Sequence, residues 1–191
     1  MDPSSTKARL LDAAAKVFLQ HGFGPASMDL VRQEAGVSNG SLYHHFPTKA
    51  QLADALYAWT LRGFHAAVLV PITGRASAQT GVKGLVRAYL QWVEDNPDGA
   101  RLLHELRRGG GLSGGGEMAA ANSEGFDALA EWIAGKVEAG EMREMPLAAW
   151  TAVVFSPAIS MTPYWLSQPG KPVSQKIRNA LEHAAWMAVA P

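Results

Sequence analysis

The chain has no cysteine. That excludes at once a disulfide framework, a cysteine-ligated metal site and a cysteine nucleophile. An excess of either charge is also missing: 17 Lys+Arg stand against 17 Asp+Glu, for a formal net charge of +0. Such a balance argues against a broad cationic surface of the kind that strongly basic nucleic-acid binders carry. Alternating, β-branched stretches are few, so strands are not expected. No His-Glu-x-x-His, nucleophile elbow or carboxylate constellation occurs, so the chain is expected not to be an enzyme and to hold no cofactor and no metal. Residues 1–7 are polar and 10–19 are interrupted by Asp12 and Lys16, which is not a secretory signal. A cytoplasmic location follows as an expectation. Residues 145–170 lack charge altogether, but Pro146, Pro157, Pro163 and Pro169 interrupt them. A helix buried between protein neighbours fits this better than a membrane span, because proline frees backbone groups that lipid cannot satisfy.

What the chain does have is helical punctuation. With 48% hydrophobic residues it can afford a sizeable core. Residues 7–21 place Leu10, Leu11, Ala14, Val17 and Phe18 on one face, and Gly22 stops the helix. Ser27 caps a short helix that ends at Gly36. Ser38 caps another that must finish by Phe46, since Pro47 follows. Thr48 and Gln51 make a capping box for a helix reaching about residue 68. Further helices are predicted over 80–95, 97–108, 117–139, 147–166 and 173–189. Residues 109–116, rich in glycine, read as a flexible loop. They are no phosphate loop, since no Gly-Lys-Ser/Thr follows. The prediction is an all-α chain of about nine helices, with a helix-turn-helix head over residues 1–50 and a helical ligand-binding and dimerisation domain over 51–191.

The two short helices are separated by about three residues, which is helix-turn-helix spacing. Gly36 allows the backbone angle of the turn. Val37 can plug the angle between the helices, with Leu30 and Leu42 packed beneath. Asn39, Gly40, Ser41, Tyr43, His44 and, at the margin, His45 are left facing outward. Asn can pair with an adenine edge, and Ser with a base edge or phosphate. Gly40 lets the helix N-terminus approach DNA closely, where free N–H groups favour a phosphate. Tyr43 and His44 can donate to phosphate or base. Lys49, Ser27 and the cap residue Ser38 complete the expected DNA-contact set. His44 and His45 are adjacent on a helix and diverge by about 100°, so they do not point at one metal ion.

Gly22-Phe23, Ala35-Gly36-Val37-Ser38, Gly40-Ser41-Leu42-Tyr43-His44-His45-Phe46 and Pro47-Thr48-Lys49 together resemble the DNA-binding domain of the TetR family of bacterial transcriptional regulators. The similarity spans roughly residues 7–55. A weaker one follows at Glu138-Ala139-Gly140-Glu141-Met142-Arg143 and the uncharged helix ending Tyr164-Trp165-Leu166. The resemblance implies an all-helical homodimer that binds double-stranded operator DNA and responds to a small-molecule effector. Asn39, Ser41, Tyr43, His44 and Lys49 match positions that contact the operator in the family. Most members repress and let go when ligand binds. Activation or ligand-independent regulation on the same fold, and a helical protein-interaction module without DNA binding, are the alternative readings.

The head itself is nearly neutral, with Lys7, Arg9, Lys16, Arg32 and Lys49 against Asp2, Asp12, Asp29 and Glu34. A modest salt dependence and reliance on paired, site-specific contacts are therefore expected. Six tryptophans suggest a pocket for an apolar or aromatic ligand, lined by Trp92, Phe126, Trp132, Phe155 and Tyr164. In the last helix Ile177, Ala180, Leu181, Ala184 and Ala188 form a stripe with small residues. It is read as half of a dimeric four-helix bundle with helix 147–166.

Overall fold

A computed structural model describes residues 5–108, 112–168 and 170–191. Among them lie nine α-helices and one 3-10 turn, with no strand. The helices are α1 Thr6–His21, α2 Met28–Ala35, α3 Asn39–His45, α4 Lys49–Val68, α5 Ala78–Asp95, α6 Pro97–Arg108, α7 Gly116–Glu138, α8 Leu147–Leu166 and α9 Gln175–Val189. Helix α4 ends at Val68, as expected, and the 3-10 turn Val70–Ile72 follows at Pro71.

Capping chemistry fixes most helix starts. Ser5, Ser27, Ser38, Ser77 and Ser174 each accept a hydrogen bond from the backbone N–H three residues on, as do Asn/Asp/Ser caps in general. Thr48 does the same for α4, its hydroxyl accepting from Gln51 N at 3.2 Å. The start of α5 is two residues earlier than expected, at Ala78 rather than Thr80, because Ser77 caps it. Ser174 likewise sets the start of α9 two residues later than expected.

The chain forms two compact units. The first comprises residues 1–62 and 98–122: α1, α2, α3, the first part of α4, α6 and the opening of α7. Its core contains Leu10, Leu11, Val31, Leu42, Leu52, Leu56 and Leu106. The second comprises residues 63–97 and 123–191. There α5 packs against α9 and α8, around Val82, Leu85, Val86, Leu90, Trp150 and Val154. Glycine sets one close approach in this unit. A Cβ on Gly81 would lie 2.3 Å from Trp132 Cζ2, so the indole rests directly on the α5 backbone.

Two ion pairs tie α5 to α9. Arg87 binds Glu182 through Nε at 3.0 Å and Nη2 at 2.5 Å, and Glu94 binds Arg178. Glu94 also accepts from the Val173 N–H at 2.6 Å, fixing the approach to α9. At the other end of α5, the Glu141 carboxylate accepts from the Ala78 N–H at 2.7 Å and from Lys136 Nζ at 3.0 Å. Glu141 thus supplies an anion to a helix N-terminus, which the helix dipole favours.

The Ala78 N–H, and then Lys136, hold the Glu141 carboxyl below its ordinary value. A depressed carboxyl pKa contributes stability above the unfolded value, roughly 4.3, and loses it as pH falls through the folded value. Glu141→Gln is therefore expected to lower the thermal midpoint at neutral pH and to flatten the acid limb of the stability profile. Thermal unfolding followed by circular dichroism from pH 7 to pH 3 checks this. Parallel wild-type and variant profiles are the contrary result.

Candidate nucleic-acid interface

The N-terminal helix-turn-helix is built by local bonds within each helix end and long-range bonds across the turn. Helix α2 ends in Gly36, whose φ of +62° is left-handed. Gly36 N–H donates to Gln33 O at 3.1 Å and Val37 N–H to Arg32 O at 3.3 Å. This reciprocal pair is the Schellman arrangement, which closes a helix and redirects the chain sharply. Arg9, from α1, reaches over and donates through Nη2 to Ala35 O at 2.6 Å and Gly36 O at 3.3 Å. A guanidinium on the last carbonyls of a helix satisfies orphan acceptors and complements the helix dipole. The turn is thereby pinned from both sides, and the direction of α3 follows from it.

Beneath the turn the packing differs from expectation by one residue. Val31, fully buried, and Leu42 fill the interior, whereas Leu30 is exposed. A one-residue change of position turns a side chain by about 100° on a helix, and the α1 contact selects Val31. Val37 is half-buried.

On α3 the outward set is largely as the register predicts. Asn39, Gly40, Tyr43 and His44 are exposed, Tyr43 by 50%, while Ser41 and His45 are half-buried. Ser27 and Ser38 are exposed, but their hydroxyl oxygens already accept from Leu30 N at 3.1 Å and Ser41 N at 3.2 Å. Each still has its hydroxyl hydrogen to donate, which suits a phosphate acceptor. Lys49 is arranged otherwise than a free phosphate contact. Its ammonium donates to Gly24 O at 2.9 Å and lies 4.3 Å from the centre of the Phe23 ring. Burial lowers its pKa.

The other cations of the head are engaged in the same way. Lys7 pairs with Glu117, Lys16 with Glu34, Arg32 with Asp29, and Arg9 with the α2 carbonyls. All five Lys and Arg residues in 1–50 therefore have partners within the protein. The head thus presents neutral side chains on the outward face of α3 rather than loose positive charge.

The pattern described as "Bacterial regulatory proteins, tetR family" matches residues 10–56, which run from α1 through the first turns of α4. Over residues 10–56 the chain carries the pattern of the tetR family. Among curated relatives, "HTH-type transcriptional activator FasR" of Mycolicibacterium smegmatis is 29% identical over 99 residues, 52% of this chain and 45% of that protein. "HTH-type transcriptional regulator UidR" of Escherichia coli is 41% identical over 51 residues, 27% of this chain and 26% of that one. The matched part thus spans less than half the length of either relative. A structure described as a tetR family transcription regulator from Shewanella sp. PV-4 superposes with a TM-score of 0.84 at 24% identity, covering 98% of this chain and 99% of that one. At that identity the likeness establishes the fold.

The residues expected to line a ligand site are only partly gathered. Trp92 and Phe155 belong to one aromatic cluster in the second unit. It is joined by Phe64, 5.0 Å from Trp92 and 6.0 Å from Tyr89, and by Tyr89, 6.2 Å from Phe155. Phe64 and Tyr89 were not in the expected lining, because their nearness to Trp92 and Phe155 arises from three different helices. The Tyr89 hydroxyl is bonded to Thr162 Oγ1 at 2.6 Å, and burial pushes its pKa up. Thr162 already donates to Ala158 O at 3.1 Å, so Tyr89 is the donor of the pair. Trp132 lies apart, on Gly81. Phe126 and Tyr164 are exposed, by 44% and 60%, and face solvent rather than this cluster. The indole N–H groups of Trp132, Trp150 and Trp165 are buried without a hydrogen-bond partner among the described residues.

Of the expected dimer stripe, Ile177, Leu181 and Ala188 are half-buried while Ala180 and Ala184 are exposed. The outward face of α9 also carries Lys176, His183 and Met187. On α8 the outward face is uncharged and includes Val153, Ile159 and Tyr164. Among the described residues no helix is long and apolar enough to cross a membrane, and no group of three His, Cys, Asp or Glu is placed to hold a metal ion.

Proposed function

We propose that the protein is a ligand-responsive, sequence-specific DNA-binding transcriptional regulator, working as a homodimer on operator DNA and released from it by a small apolar or aromatic molecule. Repression is the sign of regulation that this mechanism gives. The observation that carries the reading is the register of α3: Asn39, Gly40, Tyr43 and His44 all face outward from a turn pinned by Gly36 and Arg9. In this reading residues 1–50 read the DNA, and residues 51–191 bind the effector and dimerise.

The uncharged outer face of α8, with exposed Ala180, Ala184 and Met187 on α9, supports self-association. Exposed apolar surface of this kind marks an interaction site. The aromatic cluster of Phe64, Tyr89, Trp92 and Phe155 supports an apolar or aromatic effector. The effector acts by population shift. Only its preference for the DNA-incompetent dimer over the competent one moves the equilibrium. Two recognition helices must stand about 34–36 Å apart to read successive major grooves, so a small change in α4 is enough to spoil the fit.

Activation is the second reading, favoured by the mycobacterial relative, a transcriptional activator. A reporter fused to the selected operator separates the two.

Selection of bound fragments from random and genomic duplex DNA, followed by an affinity titration against salt, tests the proposal. A palindromic site is the expected outcome. With the cations of the head already paired, the dimer is expected to release few ions; a slope implying roughly eight or more released ions overturns the electrostatic part. Failure to enrich any site overturns the regulator reading.

A further inference from the structure

Helix α4 is buried on all sides over residues 52–58, and one of those residues is a carboxylate, Asp54, only 4% exposed. A buried carboxylate is costly unless donors surround it. Here the donors come from the segment between α6 and α7, about sixty residues away in sequence. Ser113 N–H donates to Oδ1 at 3.0 Å, Gly115 N–H donates to Oδ2 at 3.2 Å, and the Ser113 hydroxyl donates to Oδ2. Residue 115 must be glycine for this approach, because a Cβ there would stand 2.8 Å from Oδ2. The glycine-rich stretch is therefore not a free loop over 112–115; its residues 109–111 lie outside the described part. A second, weaker link is the exposed ion pair between Lys7 of α1 and Glu117 of α7.

These bonds join residues 1–62 to 98–122 in one compact unit. Helix α4 starts only three residues after α3 ends. Whatever holds α4 therefore also aims the recognition helix. We propose that Asp54 is a positioning residue for operator reading. By clasping Ser113 and Gly115 it extends the reading head to Arg62 and makes residues 98–122 part of it. The head then meets DNA as one preorganised body, and the order it needs is present before binding rather than acquired on the DNA. The functional boundary falls within α4, after Arg62, and within α7, after Asn122.

This inference rests on the regulator reading, and the test keeps the two apart. The full-length Asp54→Asn variant keeps the side-chain shape but removes the charge and turns an amide N–H2 toward N–H donors. Ser113→Ala, on an exposed loop residue, removes one donor with little risk to folding. Hydrogen exchange in DNA-free protein is expected to show faster exchange at Ser113, Gly115 and the first turns of α4 in both variants. Affinity for the selected operator is expected to fall by roughly 5- to 150-fold in Asp54→Asn, with a smaller loss in Ser113→Ala. Affinity for the same half-sites moved two base pairs further apart is expected to hold, so discrimination between spacings shrinks. A merely structural role would lower both affinities together. Unchanged exchange in α4, or unchanged spacing discrimination in both variants, overturns the proposal. If wild-type protein selects no DNA, the regulator reading fails, while the exchange data still decide whether the clasp fastens α4.

Discussion

Replacing both Asn39 and Tyr43 by alanine is expected to cut operator affinity about a thousandfold, at roughly 1 kcal/mol for each of four contacts in a dimer. Both side chains are exposed on α3, so neither supports the core. Alanine is the best helix former, so the recognition helix persists. Affinity for unrelated duplex DNA should change little, because sequence-independent binding depends on phosphate neutralisation. The measurement is fluorescence anisotropy on the selected operator and on a scrambled duplex at one salt concentration. An equal loss on both duplexes means that these residues contact only the backbone. No loss on either removes them from the interface. The size of the effect follows from the rest of the head. With Lys7, Arg9, Lys16, Arg32 and Lys49 all engaged internally, little non-specific attraction remains to mask the loss of specific contacts.

Ile159→Glu in α8 is expected to convert the proposed dimer to monomers at micromolar concentration and to remove operator binding with it. Ile159 is 45% exposed in the single chain, so glutamate is tolerated there in the monomer. In a two-fold interface the same patch meets itself, and the new carboxylates would be buried near one another. Ala184→Glu on α9 tests the neighbouring surface, since Ala184 is exposed as well. A head that has lost its partner loses the effective concentration that the dimer provides, a factor of roughly 10²–10⁴. Sedimentation velocity reads the oligomeric state, and anisotropy reads the operator. A dimer that survives both substitutions places the interface elsewhere, whatever the operator result.

Local bonds were readable from the residues alone. Ser27, Ser38 and Thr48 each accept from an N–H three residues on, and Gly36 and Pro47 act on their immediate neighbours. Such contacts require no knowledge of what packs where, so the helix-turn-helix and its outward face could be drawn in one register. The exception inside that segment is instructive. Leu30 and Val31 are both apolar and adjacent, and only the packing of α1 on α2 selects Val31 for the interior.

The remaining gaps are all long-range. The placement of Lys49 against Gly24 and Phe23 bridges 25 residues. That of Arg9 on the α2 carbonyls bridges 26. Asp54 carried a faint signal, a lone carboxylate among Leu52, Ala53, Ala55 and Leu56, but its partners lie in a glycine-rich stretch whose composition reads as loose. The aromatic cluster shows the same limit, since Trp92 and Phe155 meet only through Phe64 and Tyr89. By itself the sequence determined the helices, most of their ends and the outward face of α3, because capping, proline geometry and apolar periodicity act within a few residues. Only the tertiary structure decided which charges are already paired, where Asp54 finds its donors and which aromatic rings touch. Those depend on chain segments brought together by burial, and burial has no fixed spacing along the chain.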